Sequence, residues 1–366
     1  MKPERTERGN GPDPRRLRRA REVLKRHVRA KSTPGAIGLL VRGAGGIACW
    51  TAGRHTYEPD SPNVRHDDLY DLASLTKVVV TTSICMALEP HLDLDERVDN
   101  YVPAFQGAGK DGVTIRHLLA HCAGLPAHQR FFETCWGREA VLSAACRTAL
   151  TYPPGTRTIY SDLSFLLLGA AVECVGGAPL EELARRYVLG PVGMKETMYL
   201  PRREQLVRIP PTEFQAEQRR GLIHGQVHDG NAWAMGGVAP HAGLFGTAAD
   251  LGRFLRVILN GGKREGTRVF SEAAIRRFTS RAGLAPGSTR ALGWDTVSAA
   301  GSSAGRHFSA RAFGHTGFTG TSVWVDPERD VGVVLLTNRV HPTRENEGIR
   351  RLRPEFHDAV MNAVRF

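Results

Sequence analysis

Ser74 and Lys77 stand three positions apart in the run Ser74-Leu-Thr-Lys77. On a helix, residues i and i+3 share a face, so this hydroxyl and this amine can meet. The lysine is out of character for the chain. Seven lysines stand against 42 arginines, and Lys77 is the one charge in the seventeen residues 72–88. Arginine does not deprotonate in proteins, whereas a desolvated lysine can be neutral near pH 7. A neutral Lys77 can take the serine proton, and the first turn of a helix favours the resulting alkoxide. The pair reads as a serine nucleophile with its general base. The competing reading is a lysine that snorkels at a helix edge.

Two further segments carry groups that such a serine needs. Tyr160-Ser-Asp162 follows the rigid turn Tyr152-Pro-Pro-Gly155. A tyrosine there can relay a proton to a leaving group if Lys77 lowers its pKa; otherwise it is a core tyrosine with a satisfied hydroxyl. Gly314-His-Thr-Gly317-Phe-Thr-Gly320 reads as a glycine-rich strand start. Glycine lets substrate lie against a strand edge, and the amides of Ser74 and Phe318 are candidates for an oxyanion hole. The alternative there is a β-bulge without a ligand.

Two motifs compete with this set. Gly301-Ser-Ser-Ala-Gly305 matches a nucleophile elbow, but neither a buried strand precedes it nor a helix follows. His224-Gly-Gln-Val-His228-Asp229 has metal-ligand spacing, but Gly221 and Gly225 weaken a helix there and no glutamate follows His224. No cofactor or metal is expected.

The order Ser74-x-x-Lys77, Tyr160-x-Asp162 and His315-Thr316-Gly317 resembles the serine β-lactamase and penicillin-binding protein superfamily. The branch most alike holds class C β-lactamases, D-peptidases and related esterases. Leu118-Leu-Ala-His-Cys-Ala-Gly-Leu-Pro126 and Gly243-Leu-Phe-Gly-Thr-Ala-Ala-Asp-Leu251 also resemble family segments. The resemblance implies Ser74 as acylated nucleophile, Lys77 as general base and Tyr160 as proton relay. It implies Phe318, Asp162, His315, Thr316 and Gly317 at the oxyanion and substrate positions. Two residues depart from the pattern: Asp162 replaces the usual asparagine, and His315 replaces the lysine of β-lactamases. An anionic Asp162 repels a substrate carboxylate and can hold Lys77 or an ammonium; a neutral His315 is a poorer carboxylate partner. Both favour an esterase, amidase or peptidase over an efficient β-lactamase. Val227-His-Asp229 resembles a segment from a branch that processes cell-wall fragments, where His228 and Asp229 either pin a loop beside the cleft or form a buried turn.

The elements that must position these groups follow from periodicity. Leu17, Ala20, Leu24 and Val28 recur at helical spacing. Residues 36–41 with 47–51, and Ser322–Val325 with 331–337, read as two β-hairpins. Helical patterns occupy 75–88, 115–120, 138–149, 162–175, 180–187 and 249–259, and again 344–366 apart from Pro354. The class is α+β: an antiparallel sheet from both chain ends, flanked by helices, with an all-helical insert. A disordered basic arm is expected over residues 1–14, before one catalytic domain, 15–366, with an α/β lobe at 15–73 and 260–366 and a helical lobe at 74–259. Residues 201–227 are polar and irregular, an active-site loop or a mobile surface segment.

With 41% apolar and 23% charged residues in 366, the composition excludes disorder, collagen-like repeats and small disulfide scaffolds. The net charge of +12 raises nucleic acid as a partner. Residues 1–31 alone carry twelve Lys/Arg against four Asp/Glu, so the basicity belongs to that arm. Six cysteines lack CxxC spacing, and most lie among apolar neighbours as reduced core cysteines do. No signal peptide or membrane span is read, which gives a cytoplasmic expectation. The expected partner is a small ester, amide or muropeptide-like substrate, with no nucleic acid and no membrane. An acyltransferase and a non-catalytic binding protein on the same fold are the alternatives.

Overall fold

The computed structural model describes residues 14–364 except 44, 46, 217–220 and 300. The basic lead-in expected over residues 1–14 therefore lies almost wholly outside the described residues. Both expected hairpins form. They join one six-stranded antiparallel sheet in the order Asp295–Thr296, Phe313–Thr316, Ser322–Asp326, Val331–Thr337, Gly35–Val41, Ile47–Gly53. The first strand pairs with the last long one, Leu39 opposite Val334, so the two chain ends close the sheet.

Alternation along the strands sends side chains to two cores. Ile37, Leu39 and Val41 join Val334 and Leu336 in the larger core with the helices. Ala36 and Leu40 face the other way with Trp324, Val333 and Leu335. Because both faces are covered, Val331–Thr337 is buried at every position and shows no polar alternation. The outer cover is the helix Pro14–Arg29 with the terminal helix Ile349–Met361, through Ala20, Leu24, Leu352, Phe356 and Val360. The terminal helix runs through Pro354, which was expected to interrupt it. Proline removes one backbone hydrogen bond, but Leu352, Phe356 and Val360 bury apolar surface on either side of it.

Two expectations about the insert need correction. It is not all-helical: Tyr70–Asp71, Leu244–Gly246 and Met198–Tyr199 form a small three-stranded sheet, and Phe214–Gln215 pairs with Gly221–Leu222. The helix Ala248–Leu259 packs on Gly35–Val41 and Val331–Thr337, so it belongs with the sheet. Its amphipathic spacing is the same for either neighbour, so sequence could not place it. The remaining helices surround Asp162–Gly176, whose Leu163, Phe165, Leu167 and Leu168 are buried in the larger core. Among the described residues no single helix is long and apolar enough to cross a membrane. Cys85, Cys122 and Cys146 are buried thiols, while Cys174 is exposed.

Candidate active site

Ser74 lies in a tight run of i→i+3 backbone bonds, from Leu75 N to Leu72 O through Lys77 N to Ser74 O. This run leads into a π-helical turn, Lys77–Thr82, and then the helix Ser83–Leu88. Every residue of the π turn is buried, so the segment is locked by packing. The residue before the serine, Ala73, has φ 48°, a left-handed conformation that an alanine adopts at a cost. Asp71 Oδ1 holds it by accepting from Ala73 N at 2.8 Å. Strain and packing together fix the direction of the Ser74 side chain.

Lys77 is fully buried. Its Nζ donates to Ser74 Oγ at 3.0 Å and to the His241 carbonyl at 3.1 Å, and it lies 2.7 Å from Asp162 Oδ1. Three acceptors surround three N–H donors, the coordination of an ammonium. Burial alone lowers the lysine pKa, but Asp162 and Tyr160 outweigh it and the net direction is upward. The expectation of a resting neutral Lys77 is thus corrected. The sequence showed an isolated lysine; it did not show that Asp162 folds onto it. Asp162 is held below the usual carboxylate range: burial opposes its charge, and Lys77 and His128 overcome that.

Tyr160 lies just before the helix that begins at Asp162. Lys77 Nζ sits 5.0 Å from its ring centroid, and the hydroxyl lies within electrostatic reach of both Lys77 and Ser74. Burial raises its pKa, and the lysine only partly offsets this, so the expected lowering is also corrected. The phenol is neutral at pH 7. It joins the site as a neutral donor and acceptor between the serine and the lysine.

The strand Phe313–Thr316 and the turn after it form the facing wall. Thr319 Oγ1 donates to Asp71 O, and Thr321 Oγ1 donates to Leu72 O, which ties the turn to the backbone just before Ser74. Gly317 is required there: a Cβ would come within 2.1 Å of Thr321 Oγ1 and 2.6 Å of Leu72 O. Among the described residues the amides of Ser74 and Phe318 donate to no protein acceptor. That leaves both for a ligand oxygen. The Phe318 ring is exposed and stacks on His228 at 5.5 Å.

His315 lines the cleft with Thr316 and Gly317, but its ring is turned inward and buried, 5.8 Å from that of Tyr160. Its Nδ1–H donates to Thr316 O. Burial and the Lys77 charge hold its pKa well below the ordinary histidine value, so it carries no charge for a substrate carboxylate.

Ser74, Tyr160, Asp162 and residues 315–318 line one cleft of about 1220 Å³, with Lys77 buried behind them. Its other wall holds residues that the motifs did not point to. Arg353 Nη2 donates to Gly317 O at 2.6 Å and Thr321 O at 2.9 Å, while its buried Nε has no partner. Arg339 donates to Phe318 O, Arg344 O and Asn346 O. Neither forms an ion pair with a carboxylate among the described residues. Burial and the Arg339 charge bring Arg353 down to about 9. In a chain with 42 arginines, spacing gave no signal for these two.

The competing motifs separate in space. Residues 301–305 form a loop with no helix after it. His224 Nε2 donates to the backbone of Ile209, whereas His228 bonds Glu213. His228 N also donates to Asp71 Oδ2, and Glu213 pairs with Arg344, so this segment pins the irregular loop beside the cleft. Asp229 caps the short helix Gly230–Ala234 and accepts from His241.

The family model for beta-lactamase matches residues 20–357. A Salmonella schwarzengrund protein that carries the name D-alanyl-D-alanine carboxypeptidase is 33% identical over 303 residues, 75% of this chain and 70% of that protein. Among solved structures, EstCE1, titled a hydrolase with promiscuous acyltransferase activity, superposes with TM-score 0.75 at 23% identity, over 95% of this chain and 99% of that one. A penicillin-binding protein homologue from Caulobacter crescentus gives TM-score 0.71 at 21% identity, over 95% and 99%. The resemblance read from the motifs and the α+β fold read from periodicity both hold. The chain belongs to the β-lactamase family and is a serine hydrolase.

Proposed function

We propose that the chain cleaves a peptide or ester bond through an acyl-enzyme on Ser74, on substrates with a carboxylate beyond the scissile bond, as a D-alanyl-D-alanine peptide has. The observation that carries this is the 3.0 Å contact of Ser74 Oγ with Lys77 Nζ in a cleft that also offers two free amides. Lys77 first gives up one ammonium proton to the solvent of the cleft. Ser74 Oγ then attacks the substrate carbonyl carbon as its proton passes to Lys77. The oxyanion accepts from the amides of Ser74 and Phe318. The Lys77 proton moves through the Tyr160 hydroxyl to the leaving nitrogen or oxygen, and the carbonyl reforms as that bond breaks. Water, deprotonated by the same groups, repeats the attack and returns Ser74.

The substrate reading rests on Arg339 and Arg353. Two guanidinium groups that form no ion pair among the described residues face one cleft, and Arg339 feels Glu213 and Glu347 only at longer range, which favours an anionic ligand there. They supply what neutral His315 does not. The relative's name points to the same substrate class. The test is release of D-alanine from a diacetyl-lysyl-D-alanyl-D-alanine peptide, beside hydrolysis of a short nitrophenyl ester. We expect both, with Arg353→Ala raising KM for the peptide on the order of tenfold more than it raises KM for the uncharged ester. Ester cleavage without any D-alanine release would contradict the carboxypeptidase reading.

A further inference from the structure

Asp162 holds two basic groups at once. Its Oδ1 lies 2.7 Å from Lys77 Nζ and its Oδ2 lies 3.3 Å from Nδ1 of His128. The two differ in their access to water. Lys77 is fully buried, whereas the His128 side chain is 39% exposed on the cleft wall. A carboxylate can only accept here, so His128 donates Nδ1–H to it and keeps Nε2 as the site for a second proton.

We propose that Lys77 and His128 are alternative holders of one proton, each paired with Asp162 when charged, and that the reactive form of the enzyme carries it on His128 Nε2. This rests on the Ser74–Lys77 reading above. The step is Lys77-NH3⁺ plus neutral His128 giving Lys77-NH2 plus His128-H⁺. Asp162 remains a carboxylate throughout, and the net charge of the three groups does not change. Neutral Lys77 then has a lone pair for the Ser74 proton. The carboxylate keeps a cationic partner in both forms, so moving the proton does not leave a buried charge unpaired.

The surroundings make the His128-protonated form the minor one at rest, because against its burial Asp162 and Tyr160 hold Lys77 toward its ammonium form. The Asp162 hydrogen bond raises the His128 pKa, burial opposes it, Asp229 adds to the rise and Arg130 counters it. Lys77 faces Asp162 and Tyr160, with the neutral rings of His121 and His315 nearby. Asp162 also feels His241, which is paired with Asp229. An asparagine at 162 would bind both neighbours but could not couple their protonation, which gives the departure at this position a chemical purpose.

The two one-proton forms have the same composition, so their ratio does not depend on pH. Activity should therefore rise through the His128 titration and then level, instead of climbing on toward the raised Lys77 value. The test is kcat/KM against pH on a short nitrophenyl ester for the wild type, His128→Gln, Asp162→Asn and the double variant. His128→Gln keeps a donor to Asp162 but cannot hold the proton. It should fall on the order of tenfold or more near neutrality and lose the plateau, rising in proportion to hydroxide. Asp162→Asn should reach its plateau at a pH set by Lys77 alone, and adding His128→Gln should change nothing further. In the wild type, the His128 ring followed by NMR should titrate at the midpoint of the rising limb. A rising limb displaced from the ring titration, or a His128→Gln profile that matches the wild type, would overturn the proposal. Ser74→Ala in parallel separates the two failures: turnover that survives it removes the Ser74 reading itself.

Discussion

At the scale of residues, the site depends on groups that sit where a larger or differently charged one would not fit. Gly317 is the sharpest example. The wall it belongs to is bonded to the backbone of Asp71 and Leu72, and a methyl group would meet Thr321 Oγ1 and Leu72 O well inside contact distance. Gly317→Ala must push the Phe318 amide away from that of Ser74. We expect a loss of about 1–3 kcal/mol in stability and a larger fall in kcat/KM than in folding, read from the thermal midpoint and from ester turnover. Unchanged activity would show that the two amides do not act together. Ser74 and Lys77 stand out as candidates because their spacing and surroundings are odd, and Tyr160 because of the family resemblance. Their charge states were not legible. Those depend on Asp162 reaching Lys77, and the sequence places these 85 positions apart. His128, Arg339 and Arg353 escaped for the same reason: each acts through a partner that only the fold supplies.

At the scale of elements, the irregular loop before His228 is fixed by one carboxylate. Glu213 is buried and bonds His228 Nε2 at 2.9 Å and the Arg344 guanidinium at 2.5 Å. Burial opposes its charge, but His228 and Arg344 together hold its pKa below the ordinary 4.5. A carboxyl depressed in the folded state stabilises fully above its unfolded value, and that stabilisation is lost as pH falls toward the folded one. The wild type should therefore lose thermal stability below about pH 4.5 more steeply than Glu213→Gln, with the two curves converging in acid. Parallel curves would mean that the pairing does not anchor the loop. Periodicity read the long elements well, since Leu39 and Leu40 already point to opposite cores. It could not assign the two- and three-residue strands of the small sheet, because so few residues carry no period. The terminal helix crosses Pro354 because burial of Phe356 and Leu352 outweighs one missing hydrogen bond.

At the scale of the whole molecule, one sheet built from both chain ends holds a wall of the cleft, and the insert brings the other wall to it. Lys77, Tyr160 and Asp162 come from the insert; Gly317, Phe318 and Arg353 come from the distal part of the chain. Closure of the sheet, with Leu39 opposite Val334, is what brings them together. The excess positive charge has a structural setting as well. Its described part lies on the helix Pro14–Arg29, whose Ala20 and Leu24 are buried while Arg15, Arg18 and Arg21 face solvent. The basic residues from Arg15 on thus sit on a helix that covers the sheet. Composition could not separate such a helix from a free tail, but the apolar spacing at Leu17, Ala20 and Leu24 did.

The account turns on Ser74 as the atom that is acylated. Intact-protein mass spectrometry after incubation with a fluorophosphonate probe tests it directly, with Ser74→Ala as the control. One adduct per chain, mapped to Ser74 and absent from the variant, is the predicted result. Folded wild-type protein that takes no adduct, or an adduct that persists in Ser74→Ala, would contradict it.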